Sequence, residues 1–246
     1  MAFITWFWVK PRHTVQEEEL NKRIVSKKIN IFTSKASVEL PNKSLIFITP
    51  NGCCQELNKL EETCTEAIIG GVSAIQLRDL ASSVADFRKA ARRLVKVVNY
   101  KCPLIINRDV QLALEIGASG VHFAEYQLND ITALELATQS QLLVGISVHS
   151  ISSMWKAVDW SPSYIQVGSV FHTQSHPGQE PLGLSRLREI QTLIPSSIHL
   201  VAVGGIDLEN VHKVKEEGIS NIAVISAIAH NSNRIEYCRC LKKLLE

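Results

Sequence analysis

The 246-residue sequence has no uninterrupted apolar run of about 18 residues, the length needed to cross a bilayer, so we predict no membrane span. Net charge is also small, at +2, which gives no indication of a nucleic acid or an anionic membrane as partner. Residues 1–44 carry a net charge of +4, so the rest of the chain carries a net charge of −2. Hydrophobic residues make up 46%, enough for a large core.

The cysteines lack the spacing of a zinc site or of a disulfide framework. Cys53 and Cys54 are adjacent, and Cys238-x-Cys240 has no second Cys/His pair at zinc-finger spacing. The apolar start, residues 1–9, is followed rather than preceded by basic residues, which is the wrong order for a secretory signal. We therefore expect reduced thiols and a cytoplasmic protein.

The chain changes character near residue 44. Before it, charged clusters such as Glu17-Glu-Glu and Lys27-Lys28 interrupt any sustained apolar face. We expect residues 1–44 to form a flexible N-terminal arm, because chain termini without a packed face are usually poorly ordered. Residues 45–246 are long enough for one domain, which we predict to be a barrel.

After residue 44, short apolar runs alternate with amphipathic segments. The predicted strands are 45–49, 74–77, 104–106, 120–123, 143–148, 164–167, 199–203 and 221–225. The predicted helices are 57–69, 84–98, 109–116, 130–137, 152–158, 184–193, 208–217 and 233–245. In 84–98, for example, apolar residues recur at helical spacing, with Arg and Lys on the other face. Repeated strand–helix units of this kind predict an α/β fold, a (β/α)8 TIM barrel.

Two segments with histidines follow neighbouring predicted strands: Gly145-Ile-Ser-Val-His149-Ser and Gly168-Ser-Val-Phe-His172-Thr-Gln-Ser-His176. In a barrel, the carboxyl ends of the strands gather at one open face, where the chemistry occurs. A histidine with an unperturbed pKa of about 6.5 can give or take a proton near neutral pH. His122 instead lies inside a predicted strand, so we expect a hydrogen-bonded core residue there.

Two turns near the end of the chain have the composition of a phosphate site. Gly204 and Gly205 follow the seventh strand, and Ile225 and Ser226 follow the eighth. Glycine lets backbone N–H groups approach an anion closely, and barrel enzymes often bind phosphate at this pair of loops. A tight turn without a ligand is the alternative for Gly204-Gly205.

Eight ordered motifs between residues 45 and about 230 resemble the thiamine phosphate synthase/TenI family. They are Gln76-Leu-Arg78-Asp, Ile105-Ile-Asn107, Gly117-Ala-Ser-Gly-Val-His122, Gly145-Ile-Ser147-Val-His149-Ser, Val167-Gly-Ser-Val-Phe-His-Thr173, Pro181-Leu-Gly-Leu, Val203-Gly-Gly-Ile206 and Val224-Ile-Ser-Ala-Ile228. The resemblance implies a TIM barrel and a reaction of thiamine biosynthesis.

The family includes a synthase that joins a pyrimidine diphosphate to a thiazole phosphate with magnesium. The resemblance implies two carboxylate ligands, but the corresponding positions hold Arg108 and Gln127. Mg²⁺ prefers hard oxygen ligands, generally including carboxylate. Asp109 and Glu125 lie nearby and could substitute if their loops shifted. We therefore treat the synthase as the alternative, with Mg²⁺ as its cofactor.

The other family chemistry is the aromatising tautomerisation of a carboxythiazole phosphate, as in TenI-type proteins, which needs no metal or other cofactor. Ser-Val-His-Ser and Val-Phe-His-Thr look like the tautomerase versions of these loops. We predict His149 as the principal acid/base and His172 as a second candidate. The predicted substrate-binding residues are Gln76, Arg78, Asn107, Ser147, Thr173 and Ser175, and the predicted phosphate-binding residues are Gly204, Gly205, Ile225 and Ser226.

A metal-independent tautomerase is thus the main prediction, and the synthase is the alternative. A second alternative is a non-catalytic regulator that keeps the phosphate site. The expected partner is a small thiazole phosphate, with no nucleic acid and no metal, and the sequence leaves a homo-oligomer open.

Overall fold

The computed structural model describes residues 39–173, 178 and 180–246, so most of the predicted arm, residues 1–38, lies outside the described part. Within it, eight parallel strands close into a barrel in sequence order, with the last hydrogen-bonded to the first. The strands are β1 Leu45–Ile48, β2 Ala74–Leu77, β3 Leu104–Asn107, β4 Gly120–Phe123, β5 Leu143–Val148, β6 Tyr164–Val167, β7 His199–Val203 and β8 Ile222–Val224. The predicted (β/α)8 barrel is confirmed.

Helices follow the strands along the described chain. They are α1 Leu57–Ile69, α2 Val84–Val98, α3 Val110–Ile116, α4 Ile131–Gln139, α5 Ile151–Val158, α6 Gly183–Leu193, α7 Val211–Glu216, α8 Ser226–Ala229 and α9 Arg234–Leu245. Two 3-10 segments, Cys53–Gln55 and Glu125–Asn129, were not predicted. None of the helices in the described residues combines the length and hydrophobicity needed to cross a bilayer.

The alternation of side chains along each strand produces two apolar layers. In β1, Leu45 and Phe47 pack outward among the helices, whereas Ile46 and Ile48 belong to a separate inner cluster. The other inner residues are Leu40, Ala74, Ile105, Leu143, Tyr164, Val201 and Ala223. Because successive strand residues face opposite sides, residues two positions further along face the interior above this apolar floor.

The largest difference from the predicted helices is at α7, which was expected to begin at Leu208 but begins at Val211. Residues 208–210 form a turn instead, in which the Asn210 side chain accepts the Asp207 N–H at 3.0 Å and donates to the Gly205 carbonyl at 2.8 Å. A side chain that bonds to the backbone before it in this way stabilises a turn there and lets the helix begin after it.

Candidate active site

A cavity of about 560 Å³ lies at the carboxyl ends of the strands. Its base is polar because the inward-facing residues at this level of the barrel carry amides, a hydroxyl and an imidazole. They are Gln76 on β2, Asn107 on β3, His122 on β4, Ser147 on β5 and Gln166 on β6. Backbone pairing places Asn107 beside His122 and Ser147 beside Gln166.

The predicted site residues that fall in the described part of the chain all line this cavity. They are His149, His172, Gln76, Arg78, Asn107, Ser147, Thr173, Gly204, Gly205, Ile225 and Ser226. Ser175 lies outside the described residues. The structure therefore brings together side chains that are about 150 positions apart along the chain, while their individual roles stay predictions.

His149 is held by a carboxylate at the rim of the cavity. Its Nδ1 lies 2.6 Å from Glu125 Oε2, and the same oxygen accepts the His149 backbone N–H at 2.8 Å. Because a carboxylate oxygen accepts hydrogen bonds, this contact requires a proton on Nδ1, so in the neutral imidazole the lone pair is on Nε2. The His149 side chain is 58% exposed, so this imidazole can be reached by a ligand.

The partnership between Glu125 and His149 was missed from the sequence, where Glu125 was considered only as a substitute metal ligand. Glu125 begins the 3-10 segment that follows β4, and His149 follows β5. β4 and β5 are neighbouring strands, so their following loops are adjacent. A carboxylate and a histidine just after consecutive strands were the signal that could have identified the pair.

His122 is part of a buried polar chain that crosses three strands. Its Nδ1 lies 3.0 Å from the Tyr164 hydroxyl, and its Nε2 lies 2.7 Å from Ser147 Oγ. Burial, reinforced by the positive charges of Arg108 and Arg78, lowers the pKa of His122 to about 3. The imidazole is therefore neutral at physiological pH, in agreement with the expected hydrogen-bonded core residue.

Two guanidinium groups, of Arg78 and Arg108, also line the cavity. Arg78 donates to Asn51 Oδ1 at 3.1 Å, and Arg108 lies over the Tyr126 ring, 5.1 Å from its centroid. Burial, followed by the proximity of Arg108, lowers the pKa of Arg78 from its usual value. Two positive groups in one cavity favour an anionic ligand.

The two glycines after β7 have conformations that other residues rarely adopt, with φ of 100° at Gly204 and 66° at Gly205. A Cβ at Gly204 would overlap Ser169, and a Cβ at Gly205 would overlap the backbone of His172. The close approach of neighbouring loops therefore requires glycine at both positions, whether or not phosphate binds there.

The residues present do not fit the magnesium ion that the family resemblance implies for a synthase. Arg108 puts a positive charge at one expected ligand position. At the other, Gln127 is occupied locally: its Oε1 accepts the Ala124 N–H at 3.1 Å and its Nε2 donates to the Arg108 carbonyl at 3.4 Å. A guanidinium at one position and an amide already hydrogen-bonded to the backbone at the other disfavour Mg²⁺.

The two substitute carboxylates are also engaged elsewhere. Asp109 accepts the Leu112 N–H at 2.8 Å as the N-cap of α3 and lies 3.5 Å from Arg88. Glu125 holds His149. Among the described residues, the group of His, Cys, Asp and Glu that is close enough to share a metal is Cys53, Cys54 and Asp79, which does not line this cavity.

A closed (β/α)8 barrel with histidines, arginines and glycine turns around a cavity at its carboxyl face defines the chain as a TIM-barrel protein. The thiamine monophosphate synthase family (TMP-TENI) matches residues 45–228. The chain belongs to this family, which confirms the resemblance found in the motifs.

Similar proteins carry the name of the synthase. The chain is 37% identical to a thiamine-phosphate synthase of Clostridium acetobutylicum, over 69% of this chain and 79% of that one. It is 33% identical to the thiamine-phosphate synthase of Methanobrevibacter smithii, over 77% of this chain and 89% of that one. A solved thiamine phosphate pyrophosphorylase from Pyrococcus furiosus covers 83% of this chain and 96% of its own, with a TM-score of 0.69 and 28% identity. These comparisons support thiamine biosynthesis and favour the synthase alternative; they give no support to the tautomerase.

Proposed function

We propose that the chain is a metal-independent tautomerase that aromatises a carboxythiazole phosphate, with His149 as the acid/base. The observation that carries this proposal is the contact between His149 and Glu125 at the rim of the cavity. Histidine oriented by a carboxylate is a common arrangement for proton transfer. In the proposed reaction a proton moves between two carbon atoms, so this arrangement matches the chemistry required.

Glu125 holds the proton of His149 on Nδ1, so Nε2 is the atom that removes the ring proton of the substrate. As the C–H bond breaks, its electron pair shifts through the ring toward the exocyclic double bond. The exocyclic carbon then takes a proton, from the same imidazole or from His172, and the ring becomes aromatic. The negative charge of Glu125 stabilises the imidazolium that exists between the two transfers.

The remaining residues bind the two anionic groups of the substrate in this proposal. Gly204, Gly205, Ile225 and Ser226 bind the phosphate through backbone N–H groups and the Ser226 hydroxyl. The substrate-binding set is Gln76, Arg78, Asn107, Ser147, Thr173 and Ser175. Within this set we assign the substrate carboxylate to Arg78, and the second guanidinium in the cavity, that of Arg108, supports an anion there.

The second candidate is thiamine phosphate synthase, which joins hydroxymethylpyrimidine diphosphate to thiazole phosphate. The names of the similar proteins favour it. Arg108 and the commitment of Gln127 to the local backbone argue against it, because the family's synthase requires Mg²⁺.

The deciding experiment incubates the protein with the non-aromatic carboxythiazole phosphate and, separately, with pyrimidine diphosphate plus aromatic thiazole phosphate. Each mixture is tested with magnesium and with a chelator. We expect aromatisation at the same rate in both conditions. Formation of thiamine phosphate that requires magnesium would assign the synthase, and binding of thiazole phosphate without turnover would assign a regulator.

A further inference from the structure

The side chains of Tyr164, His122 and Ser147 form a chain of hydrogen bonds. The direction of donation along this chain decides whether Ser147 donates to a ligand. Tyr164 is fully buried, whereas His122, 2% exposed, and Ser147 both line the cavity. Each member is bonded to the next, at 3.0 Å and 2.7 Å. The chain thus runs from the apolar floor of the barrel to the cavity surface.

The protons of this chain can be assigned from the partners available. Burial raises the pKa of Tyr164 above its usual value, so the phenol keeps its proton. Among the described residues, His122 Nδ1 is the hydrogen-bond partner of the Tyr164 hydroxyl. If Nδ1 carried the ring proton, the buried phenolic O–H would have no acceptor, which is costly. Tyr164 therefore donates to Nδ1, and the ring proton is on Nε2.

It follows that His122 Nε2–H donates to Ser147 Oγ. The Ser147 hydroxyl proton must then point away from the ring, because that side of the oxygen already accepts a hydrogen bond. Since Ser147 lines the cavity, its O–H is left to donate to a ligand.

We propose that His122 is a positioning residue that, through Ser147, makes the site select a substrate with an oxygen acceptor at this point, such as a carboxylate or phosphate oxygen. This proposal deepens the proposed function, because it rests on Ser147 meeting the substrate. It gives His122 no direct contact with the reacting atoms.

The absence of a side chain at Gly145 makes room for the Tyr164 ring inside the barrel. Gly145 on β5 pairs with Tyr164 on β6, and a Cβ at position 145 would overlap the Tyr164 ring. The missing side chain lets the tyrosine lie across the barrel interior and reach His122. Sequence reasoning recognised Gly145 as part of a family motif but not as the space for Tyr164.

Two replacements of His122 separate its roles. The amide nitrogen of His122→Gln can lie near the position of Nε2 and still donate to Ser147, whereas the shorter His122→Asn reaches only the position of Nδ1. We expect His122→Asn to lower kcat/KM for aromatisation by about 10- to 100-fold, as loss of a hydrogen bond to a charged group does. His122→Gln should recover most of that loss.

The double variant tests whether the ring acts through Ser147. We expect Ser147→Ala to have a similar effect to His122→Asn, and the pair together to be no worse than either alone. If the two effects multiply, His122 acts independently of Ser147 and the proposal is wrong. Thermal unfolding of each variant identifies losses that come only from misfolding.

Nitrogen NMR of histidine-labelled protein decides the proton assignment even if aromatisation itself is not observed. We expect His122 to carry its proton on Nε2 from pH 7 to pH 5, and Tyr164→Phe to weaken that preference. A proton on Nδ1 in the unmodified protein would overturn the proposal. A proton on Nε2 in a protein without aromatisation would keep the assignment and reject only the proposed function.

Discussion

His149→Asn should lower kcat for aromatisation by about 10²- to 10⁴-fold, the usual contribution of a general acid/base. Asparagine is shorter than histidine but keeps a donor near the position of Nδ1, and it cannot accept and return a proton. Binding of the aromatic product should change little, because the phosphate turns and the arginines are intact. Single-turnover kinetics followed by ultraviolet absorbance, together with calorimetric titration of the product, measure the two effects separately.

His172→Asn tests the second acid/base candidate, because His172 is also exposed and lines the same cavity. We expect a much smaller loss of kcat in this variant. The opposite ranking would assign the acid/base to His172, and an unchanged rate in both variants would mean that neither imidazole transfers the proton. Glu125→Gln should fall between the unmodified protein and His149→Asn, because the amide keeps a hydrogen-bond acceptor but loses the charge.

The second large effect concerns stability. Asp79, only 7% exposed, accepts hydrogen bonds from the backbone N–H groups of Gly52, Cys54 and Ala81 at 2.8, 2.9 and 2.9 Å. It also accepts from the Ser82 hydroxyl at 2.7 Å. These contacts join the loop after β1 to the loop after β2, so Asp79→Ala would remove the acceptor of one buried donor and of several partly buried donors.

We expect Asp79→Ala to lower the free energy of unfolding by about 3 to 5 kcal/mol, since an unsatisfied buried donor such as the Cys54 N–H costs about 1 to 3 kcal/mol and each partly buried donor, which water partly satisfies, adds less. The melting temperature should fall by about 10 °C for a domain of this size. Urea titration measures the change. The exposed carboxylate Glu135 provides the control, and a Glu135→Gln variant should unfold like the original protein.

The Asp79 carboxylate also predicts that the stability of the protein depends on pH. Burial alone would raise the pKa of Asp79, but the hydrogen bonds from Cys54, Gly52, Ser82 and Ala81 hold it well below its usual range. A lowered pKa in the folded state stabilises the protein above the unfolded value of about 3.9, and that stabilisation is lost as the pH falls below it. The stability difference from Asp79→Asn should therefore shrink between pH 5 and pH 2; a constant difference would contradict the assignment.

The boundaries of most elements could be predicted from local pattern. The strand 143–148 and the helix 84–98 have the same ends in the structure, because apolar periodicity and capping residues act over a few positions. The contacts between side chains in the site could not be predicted from such local patterns. Arg108 was recognised as unsuited to a metal, but its position over Tyr126 depends on two loops that the sequence does not relate.

The sequence by itself determined the eight-stranded barrel and the residues that share its open end, because alternation along strands and the gathering of strand ends follow from chain geometry alone. The tertiary structure decided which of those residues bond to one another. Glu125 holds His149, and Tyr164 orients His122 toward Ser147. These pairings depend on the register between neighbouring strands and on space such as that left by Gly145, which only the assembled barrel defines.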